Sequence, residues 1–317
     1  MLRLFIPLTL PLALAAAGQD ATPAPAAPTV QDAPAATDIA IQDAGNRLTV
    51  PVAIGASGPF RFIIDTGAER TVVSRELATS LSLPPGRRLK LVSMTEQSQV
   101  ETVQVRDLSV QPLGPRHHLE APMLESRHLG AQGLLGIDTL AEHRVTIDFE
   151  AGQMRVEPSR KRSARRARDD EIVVTARSRF GQLIVTDARV DNIPVRVVID
   201  TGSQVTMGNS ALRRLARVRK EGVQAIRLTS VTGGTTTADY TVLPLVRIGS
   251  VRLDQMPVAF ADVEPFRQFG LMRRPALLLG MDTLRLFRRV EIDFPNRQVR
   301  LLLPDGVRGA ESPWRLL

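Results

Sequence analysis

The chain has 317 residues, with 41 Lys and Arg, 33 Asp and Glu, four His and no Cys, which gives a formal net charge of +8. This length is enough for two domains with their own cores, and a chain without cysteine forms no disulfides and uses no thiolate chemistry. Six of the cations lie within residues 160–168. No aromatic residue is interleaved with them, so nucleic-acid binding is not expected.

The first 17 residues have the pattern of an export signal peptide. A positive charge at Arg3 precedes an apolar run that ends in small residues at Ala15 and Ala17. The alternative is an uncleaved anchor, although the run is short for a helix that spans a bilayer. Residues 18–44 are rich in Ala and Pro and predict a disordered linker. Arg outnumbers Lys 38 to three, a bias common in GC-rich bacterial genomes. Together with the signal-like N-terminus, this bias leads us to expect a bacterial protein that is periplasmic or secreted.

Most of the remaining chain consists of short apolar runs that predict β-strands. The predicted organisation is a lobe over residues 45–157, a basic inter-lobe linker over 158–179, a second lobe over 180–303 and a tail over 304–317. The predicted strands cover residues 48–54, 60–64, 100–105, 145–149, 183–190, 195–199, 225–231, 242–248 and 299–303. Short helices are predicted over 74–81, 138–141, 209–216 and 282–287. Ser74 and Asn209 are suitable N-caps for two of these helices, so the chain is predicted to be all-β with a few short helices.

The tripeptide Asp-Thr-Gly occurs twice, each time at the end of an apolar strand. The copies occupy residues 65–67 and 200–202, so they lie 200 − 65 = 135 residues apart. Each copy is followed far downstream by two leucines and a glycine, ending at Gly136 and at Gly280. This separation is the size of a domain, and the pattern therefore indicates an internal duplication into two homologous lobes.

Two Asp-Thr-Gly turns that meet would bring two carboxylates together. Asp65 and Asp200 would then share one proton, and the ionised member would take a proton from a water that attacks a carbonyl group. The glycine of each motif permits a tight turn, and the threonine hydroxyl is able to cross-link the two turns. This chemistry needs no metal and no other cofactor, and the four histidines lack metal-ligand spacing.

In both copies two apolar residues precede Asp-Thr-Gly and a small residue, Ala68 or Ser203, follows it. Together with the downstream Leu-Leu-Gly segments, this pattern resembles the aspartic proteases of the pepsin and retropepsin superfamily, in particular the bacterial retropepsin-like proteases fused in tandem. The resemblance covers residues 45–157 and 180–303. It implies two homologous retropepsin-like β-barrel lobes in a pepsin-like bilobal arrangement, acting as a monomer on a peptide or protein substrate.

The resemblance also implies roles for particular residues. It makes Asp65 and Asp200 the catalytic dyad of an aspartic endopeptidase, and Thr66 and Thr201 an interlocking hydrogen-bonded grip. The supporting positions around the dyad are Gly67, Gly202 and Ser203.

Members of this family cover the cleft with β-hairpin flaps, and the two repeats differ in this region. Gly233 and Gly234 predict a flexible hairpin tip in the second repeat. Residues 93–98 of the first repeat contain no glycine, so a first flap is not supported and the second lobe is expected to supply most of the cover. Ser203 is able to donate a hydrogen bond to Asp200, which predicts an unequal dyad that works from acidic to mildly acidic pH.

Other acidic residues are also paired by the repeat. Asp138 with Asp282, and Asp148 with Asp293, offer a second acid/base site as one interpretation. For Asp138 and Asp282 we favour a structural role as carboxylates that cap helix N-termini. Glu69, close to Asp65, is interpreted as a polar group that stabilises the turn.

Two further alternatives stay open at the level of sequence. One is a catalytically inactive module that keeps the protease fold and binds peptides in the periplasm, although both Asp-Thr-Gly triplets are intact. The other concerns the basic linker, which is interpreted as a solvated connection. A proteolytic nicking site and a peripheral contact with anionic membranes are the alternatives for this segment.

Overall fold

The computed structural model describes residues 37–40, 42–44, 47–110, 114–116, 119–161, 171–179, 181–218 and 222–304. The predicted export signal, the basic residues from 162 to 168 and the tail after residue 304 lie outside these ranges. Within the described part of the chain, no helix has the length and apolar character needed to cross a bilayer.

In its described residues, the first lobe consists of short strands and three short helices. Its strands are β1 (Thr37–Ala40), β2 (Gln42–Ala44), β3 (Arg47–Ile54), β4 (Ser57–Ile64), β5 (Val72–Ser74), β6 (Pro85–Val92), β7 (Gln97–Val105), β8 (Leu108–Val110), β9 (Gly114–Arg116), β10 (Leu119–Leu124), β11 (Gly133–Leu135), β12 (His143–Asp148) and β13 (Gln153–Pro158). Its helices are α1 (Arg75–Ser80), α2 (Ser126–Leu129) and α3 (Ile137–Leu140). Strands β2 to β11 form one curled sheet in the order β6-β7-β10-β5-β11-β4-β3-β8-β9, with β2 paired to β3.

The second lobe has the same mixture of elements. Its strands are β14 (Glu171–Arg179), β15 (Gln182–Val185), β16 (Ala188–Val190), β17 (Ile193–Pro194), β18 (Arg196–Ile199), β19 (Met207–Gly208), β20 (Gln224–Thr229), β21 (Thr235–Ile248), β22 (Val251–Phe260), β23 (Ala276–Leu279), β24 (Arg289–Asp293) and β25 (Gln298–Leu302). Its helices are α4 (Ser210–Leu215), α5 (Glu264–Gln268) and α6 (Met281–Leu284). From β14 the sheet runs β15-β18-β23-β19-β22-β21-β16-β17, with β20 paired to β21.

Both lobes contain the same arrangement of strands around the Asp-Thr-Gly turn. In the first lobe β4 leads into the turn and β5 follows it, while β11 lies between them, parallel to β4 and antiparallel to β5. In the second lobe β18, β19 and β23 repeat this arrangement. Every residue of β11 and β23 is buried, as expected for a central strand covered on both faces. The structure thus confirms the predicted fold class of two β-barrel-like lobes with a few short helices.

A continuous sheet joins the two lobes. Strand β12 of the first lobe pairs antiparallel with β24 of the second, from Arg144 opposite Asp293 to Asp148 opposite Arg289. Strands β13 and β1 extend this sheet on one side, and β25 and β14 extend it on the other. Alternate residues of β12 are buried, so one face of the sheet packs into the core. The main hydrophobic cluster accordingly contains residues of both lobes.

Most predicted elements match the structure, and the two N-caps are confirmed. Ser74 Oγ accepts a hydrogen bond from the backbone N–H of Leu77 at 3.1 Å, and Asn209 Oδ1 accepts one from Leu212 at 2.9 Å. The strand predicted over residues 183–190 is divided into β15 and β16. These two strands pair with different neighbours, β18 and β21, so the chain has to bend between them.

Among the described residues, three strands lie in segments that composition assigned to linkers. Strand β14 begins inside the range 158–179, and β1 and β2 lie inside the range 18–44. Strand β14 pairs with β25, and β1 pairs with β13. Strands β14 and β1 therefore extend the sheet between the lobes. Composition shows where a segment is unable to build a core of its own, but not where it adds a strand to an existing sheet.

An ion pair across the inter-lobe sheet gives the stability of the protein a dependence on pH. Arg289 Nη2 lies 2.6 Å from Asp148 Oδ2. Burial raises the pKa of Asp148, but hydrogen bonds from the Ala151 N–H and from Arg289, together with the charge of Arg289, outweigh it and hold that pKa below its usual value. The pair therefore stabilises the fold above the unfolded-state pKa of an aspartate, and this contribution is lost as the pH falls through the lowered folded-state pKa.

We expect Asp148→Asn to lower the free energy of unfolding at about pH 7 and to have little effect at about pH 2, where the carboxylate of the parent protein is protonated as well. Urea unfolding of parent and variant at both pH values measures this difference. A difference that stays constant down to the lower pH would show that packing, and not the charge of Asp148, accounts for the effect.

Candidate active site

Each aspartate of the two motifs stands directly after a buried strand. Asp65 follows β4 and Asp200 follows β18, and both side chains are partly buried. The backbone N–H of Asp65 donates to the Leu135 carbonyl at 3.0 Å, and that of Asp200 donates to the Leu279 carbonyl at 3.0 Å. The Leu-Leu-Gly segments of the sequence therefore hold the start of each Asp-Thr-Gly turn.

The two turns face each other across the boundary between the lobes. A Cβ atom added to Gly67 would lie 2.7 Å from Asp200 Oδ1. A Cβ added to Gly202 would overlap the carboxyl group of Asp65. Each glycine is therefore packed against the carboxylate of the other motif, and only a residue without a side chain permits this approach.

The carboxylates are oriented by their own turns. Asp65 Oδ1 accepts hydrogen bonds from the N–H groups of Gly67 at 2.8 Å and Ala68 at 3.0 Å. Asp200 Oδ1 accepts the equivalent bonds from Gly202 at 3.0 Å and Ser203 at 3.2 Å. One oxygen of each carboxylate is thus fixed by two backbone donors, in the same way in both lobes.

The predicted hydrogen bond from the hydroxyl of Ser203 to Asp200 is wrong. Ser203 Oγ donates to the Val205 carbonyl at 2.8 Å. A hydroxyl has one proton to donate, and here the backbone carbonyl two residues further on takes it. Ser203 contacts Asp200 through its backbone N–H, as Ala68 contacts Asp65, so this residue does not make the dyad unequal.

The two threonines cross-link the motifs in the predicted way. Thr66 Oγ1 donates to the Ile199 carbonyl at 2.9 Å, and Thr201 Oγ1 donates to the Ile64 carbonyl at 2.8 Å. Each hydroxyl also accepts from the backbone N–H of the other threonine, at 3.1 and 3.2 Å. Both threonines are buried, so these four bonds are shielded from water and hold the two turns in a fixed relation.

Asp138 and Asp282 have structural contacts, but most of these are not to the amides at the helix N-terminus, where the sequence predicted them. Asp282 Oδ1 does accept from the Thr283 N–H of α6, at 2.7 Å. Neither α3 nor α6 has a side-chain cap at its N-cap residue. Asp138 Oδ1 instead accepts from the N–H and the hydroxyl of Thr71, and Asp282 accepts from the N–H and the hydroxyl of Thr206. Each carboxylate therefore fixes the loop that follows the Asp-Thr-Gly turn of its own lobe. These bonds engage the carboxylate in holding the structure of the lobe.

The glycines of the Leu-Leu-Gly segments have a steric role. A Cβ added to Gly136 would lie 2.6 Å from the carbonyl oxygen of Arg70. A Cβ added to Gly280 would lie 2.6 Å from the carbonyl carbon of Val205. The loop after each motif crosses directly over the glycine, and a larger residue would push this loop away from the dyad.

Both lobes form a β-hairpin flap, so the expectation that the second lobe supplies most of the cover is wrong. Strands β6 and β7 pair antiparallel and join through a turn at Ser93–Glu96, and β20 and β21 join through Ser230–Gly234. The first turn closes without glycine because Ser93 Oγ accepts from the Glu96 N–H at 3.3 Å and the Ser93 N–H donates to the Glu96 carbonyl at 2.9 Å. Gly233 and Gly234 lie at the tip of the second flap, as the sequence predicted.

The flap tips contact each other and the opposite lobe. Thr232 Oγ1 donates to Ser93 Oγ at 3.2 Å, and the Glu264 N–H donates to the Met94 carbonyl at 3.0 Å. The Met94 side chain packs on a hydrophobic cluster of the second lobe, and the Val231 side chain packs on a cluster of the first. A Cβ at Gly233 would overlap the His128 ring. The cover is therefore shared by both lobes, and sequence reasoning did not identify His128 or Glu264 as part of it.

Glu69 forms an additional link between the lobes beside the site. Its side chain is exposed and accepts a hydrogen bond from Gln268 of α5, while its backbone carbonyl accepts from the Asp138 N–H at 3.2 Å. These contacts agree with a role in stabilising the turn. Across the described ranges, no group of three or more His, Asp or Glu side chains comes together in a way that would hold a metal ion.

These observations define a two-lobed β-protein in which each lobe presents one carboxylate to a single centre between them. The family model for aspartyl proteases matches residues 50–139 and 186–283, more than half of the chain. The chain therefore belongs to the aspartyl protease family, with two retropepsin-like domains in tandem. Each match runs from the strands before an Asp-Thr-Gly turn to the helix after the Leu-Leu-Gly segment. A comparison with curated proteins gave no match.

Proposed function

We propose that this protein is an aspartic endopeptidase in which Asp65 and Asp200 activate a water molecule for peptide hydrolysis. The observation that carries the proposal is the approach of the two turns, in which each glycine is packed against the carboxylate of the other motif. Both carboxylates are oriented by backbone donors, and the threonine bonds hold the two turns together.

The proposed reaction needs one ionised and one protonated carboxyl group. Two carboxylates held this close repel each other when both are charged, so the pair keeps one proton over the working pH range. The ionised carboxylate removes a proton from water as the oxygen attacks the carbonyl carbon, and the protonated carboxyl hydrogen-bonds the carbonyl oxygen. The resulting tetrahedral intermediate collapses when a carboxyl proton passes to the leaving nitrogen, which breaks the C–N bond and releases an amine and an acid.

The substrate that fits this proposal is an extended segment of a peptide or protein. It would lie between the dyad and the two flaps, so the contact between Thr232 and Ser93 has to open before the substrate enters. The proposed enzyme acts as a monomer because both halves of the site are on one chain. We further propose a bacterial protein that is exported to the periplasm or beyond by the signal-like residues 1–17.

Digestion of a peptide library tests the proposed function. The protein is incubated with the library at intervals between about pH 3 and pH 7, with and without a statine-type peptide inhibitor, and the new termini are identified by mass spectrometry. We expect internal cleavage that the inhibitor blocks. If the library binds but no peptide is cleaved at any pH, the protein is a peptide-binding module and the proposed function is wrong.

A further inference from the structure

A glutamine of the second lobe reaches into the Asp-Thr-Gly turn of the first. Gln182 is the first residue of β15 and its side chain is 1% exposed. Its Nε2 donates a hydrogen bond to the Gly67 carbonyl at 2.5 Å. This contact joins the lobes next to the dyad, and neither the repeat nor the family resemblance pointed to it.

The residue before Gln182 contacts the same loop from another side. Gly181 has a φ of +86°, and a Cβ added to it would overlap the Ile137 side chain. The Ile137 N–H in turn donates to the Ala68 carbonyl at 2.9 Å. Gly181 and Gln182 therefore form a corner of the second lobe that is fitted to the Gly67–Ala68 segment of the first.

The orientation of the Gln182 amide follows from its partner. The Gly67 carbonyl can only accept a hydrogen bond, so the NH₂ group of Gln182 has to face it. The other end of the amide, Oε1, is buried and has no hydrogen-bond partner among the described residues. An acceptor that is buried and unpaired lowers stability, and an apolar side chain of the same size would remove this cost. The amide of Gln182 therefore lowers the stability of the fold through its Oε1, and only its bond to the Gly67 carbonyl opposes this effect.

The bond acts on a peptide group that also holds the catalytic carboxylate. The Gly67 carbonyl and the Ala68 N–H belong to one planar peptide unit, and this N–H donates to Asp65 Oδ1 at 3.0 Å. A hydrogen bond accepted by the carbonyl fixes the plane and strengthens the N–H as a donor. A stronger donor to a carboxylate favours the ionised form, so Gln182 favours a charged Asp65 against the repulsion of Asp200.

The first repeat does not supply the same group to the second turn. Thr49 lies opposite Ile63 and Ile184 lies opposite Val198, so positions of the two repeats differ by 135 at this strand. The position that corresponds to Gln182 is therefore 182 − 135 = 47, which is Arg47. At this position the sequence has a glutamine in the second repeat and an arginine in the first.

We propose that Gln182 is a positioning residue for Asp65, which acts through the Gly67–Ala68 peptide and makes the two halves of the dyad inequivalent. This inference rests on the proposed function. It replaces Ser203 as the source of an unequal dyad, because the Ser203 hydroxyl is bonded to the Val205 carbonyl.

The test compares Gln182→Met with Gln182→Glu in the full-length protein. Methionine has nearly the same length and no N–H donor, so we expect kcat to fall about 10- to 100-fold with little change in KM. The acid limb of the pH profile should move to higher pH, because Asp65 loses support for its charged form. The thermal midpoint should change little, because the loss of the bond to the Gly67 carbonyl opposes the gain from removing the unpaired Oε1. Glutamate donates only when protonated, so Gln182→Glu should recover activity at acidic pH and lose it as its own carboxyl ionises.

The outcomes separate this inference from the proposed function. Parent-like kcat and pH profile in Gln182→Met would overturn the role of Gln182, as would a rise in KM alone. If Gln182→Met does not fold, the pH-dependent recovery in Gln182→Glu decides the question, and activity that is independent of that carboxyl contradicts the inference. A parent protein that cleaves no peptide overturns the proposed function as well. Binding of the statine-type inhibitor, measured by calorimetry, should weaken in Gln182→Met by a similar factor.

Discussion

Replacing either aspartate of the dyad, by Asp65→Asn or Asp200→Asn, is expected to lower kcat/KM for peptide cleavage by at least about 1,000-fold. An asparagine has nearly the same shape as an aspartate and its Oδ1 is able to accept the same two backbone N–H bonds. It neither removes a proton from water nor supplies one to the leaving nitrogen. The loss should therefore fall on kcat, because the geometry that binds the peptide is preserved.

The measurement compares cleavage of one peptide selected from the library by the parent, the two single variants and a matched control. Asp191→Asn is that control, since Asp191 is exposed in a turn with a φ of +50°, a conformation that asparagine adopts readily. It makes the same chemical change at an exposed turn, 200 − 191 = 9 residues before Asp200, and should cleave at the parent rate. Cleavage that survives both Asp65→Asn and Asp200→Asn would end the aspartic-protease mechanism.

The two single variants also report on the equivalence of the dyad. If the turns were chemically identical, both substitutions would change the pH profile in the same way. The bond from Gln182 to Gly67 is a contact on the Asp65 turn that the sequence does not repeat for Asp200. We therefore interpret any difference between the two profiles through this contact, and Gln182→Met in each background shows whether the difference disappears.

The approach of the two Asp-Thr-Gly turns was predictable because the chain contains the motif twice. The same apolar strand, Asp-Thr-Gly turn and Leu-Leu-Gly segment occur in both halves, and a duplicated domain has to place them equivalently. Thr66 and Thr201 form the predicted grip, and Gly67 and Gly202 each lie against the opposite carboxylate. These features follow from local backbone geometry combined with a two-fold arrangement, which the repeat itself implies.

Contacts that depend on the direction of a side chain were not predictable in this way. The Ser203 hydroxyl donates to the Val205 carbonyl and not, as predicted, to the Asp200 carboxylate. Ser93 closes the first flap turn with its hydroxyl, so the absence of glycine did not exclude a hairpin. Asp138 stands in the first turn of α3, but its carboxylate bonds the crossing loop at Thr71. In each case the sequence showed which polar side chain was present, and only the folded structure showed its hydrogen-bond partner.

Gln182 is a stronger example of the same limit. It begins an ordinary apolar strand, and a polar residue at the end of a strand normally faces water. Its burial results from the packing of the corner at Gly181 against the first lobe. The sequence feature that could have drawn attention to Gln182 was the preceding glycine, Gly181. It indicated a turn but not that this turn contacts the first lobe.

Adding a single methyl group at Gly202 is expected to have the second large effect. In Gly202→Ala the new Cβ would overlap the Asp65 carboxyl group, so the two turns have to separate. Such a shift stretches the four threonine bonds between the motifs, the shortest of which is 2.8 Å long. We expect the free energy of unfolding to fall by about 1 to 3 kcal/mol. A displacement of the dyad by even a fraction of an ångström should lower kcat/KM about 100-fold.

Gly152→Ala provides the control for the general effect of replacing a glycine. Gly152 has a φ of +61° and no atom within 4 Å of the added Cβ, so the substitution introduces backbone strain without a collision. It should cost about 1 kcal/mol of stability and leave cleavage unchanged. Urea unfolding and peptide cleavage are measured on the same preparations, so that stability and activity are compared directly.

The equivalent substitution in the first motif, Gly67→Ala, is expected to have a smaller effect than Gly202→Ala. There the added Cβ would lie 2.7 to 3.0 Å from the carboxyl atoms of Asp200, whereas in Gly202→Ala it would lie closer than that to each of the carboxyl atoms of Asp65. The overlap in Gly67→Ala is smaller and needs a smaller displacement of the turns, so this variant should be the milder of the two in both stability and kcat. Equal losses, or a loss of activity no greater than that of Gly152→Ala, would mean that the carboxylates are not held against the opposing turns. The packing of each glycine against the opposite carboxylate would then be too loose to orient the two aspartates.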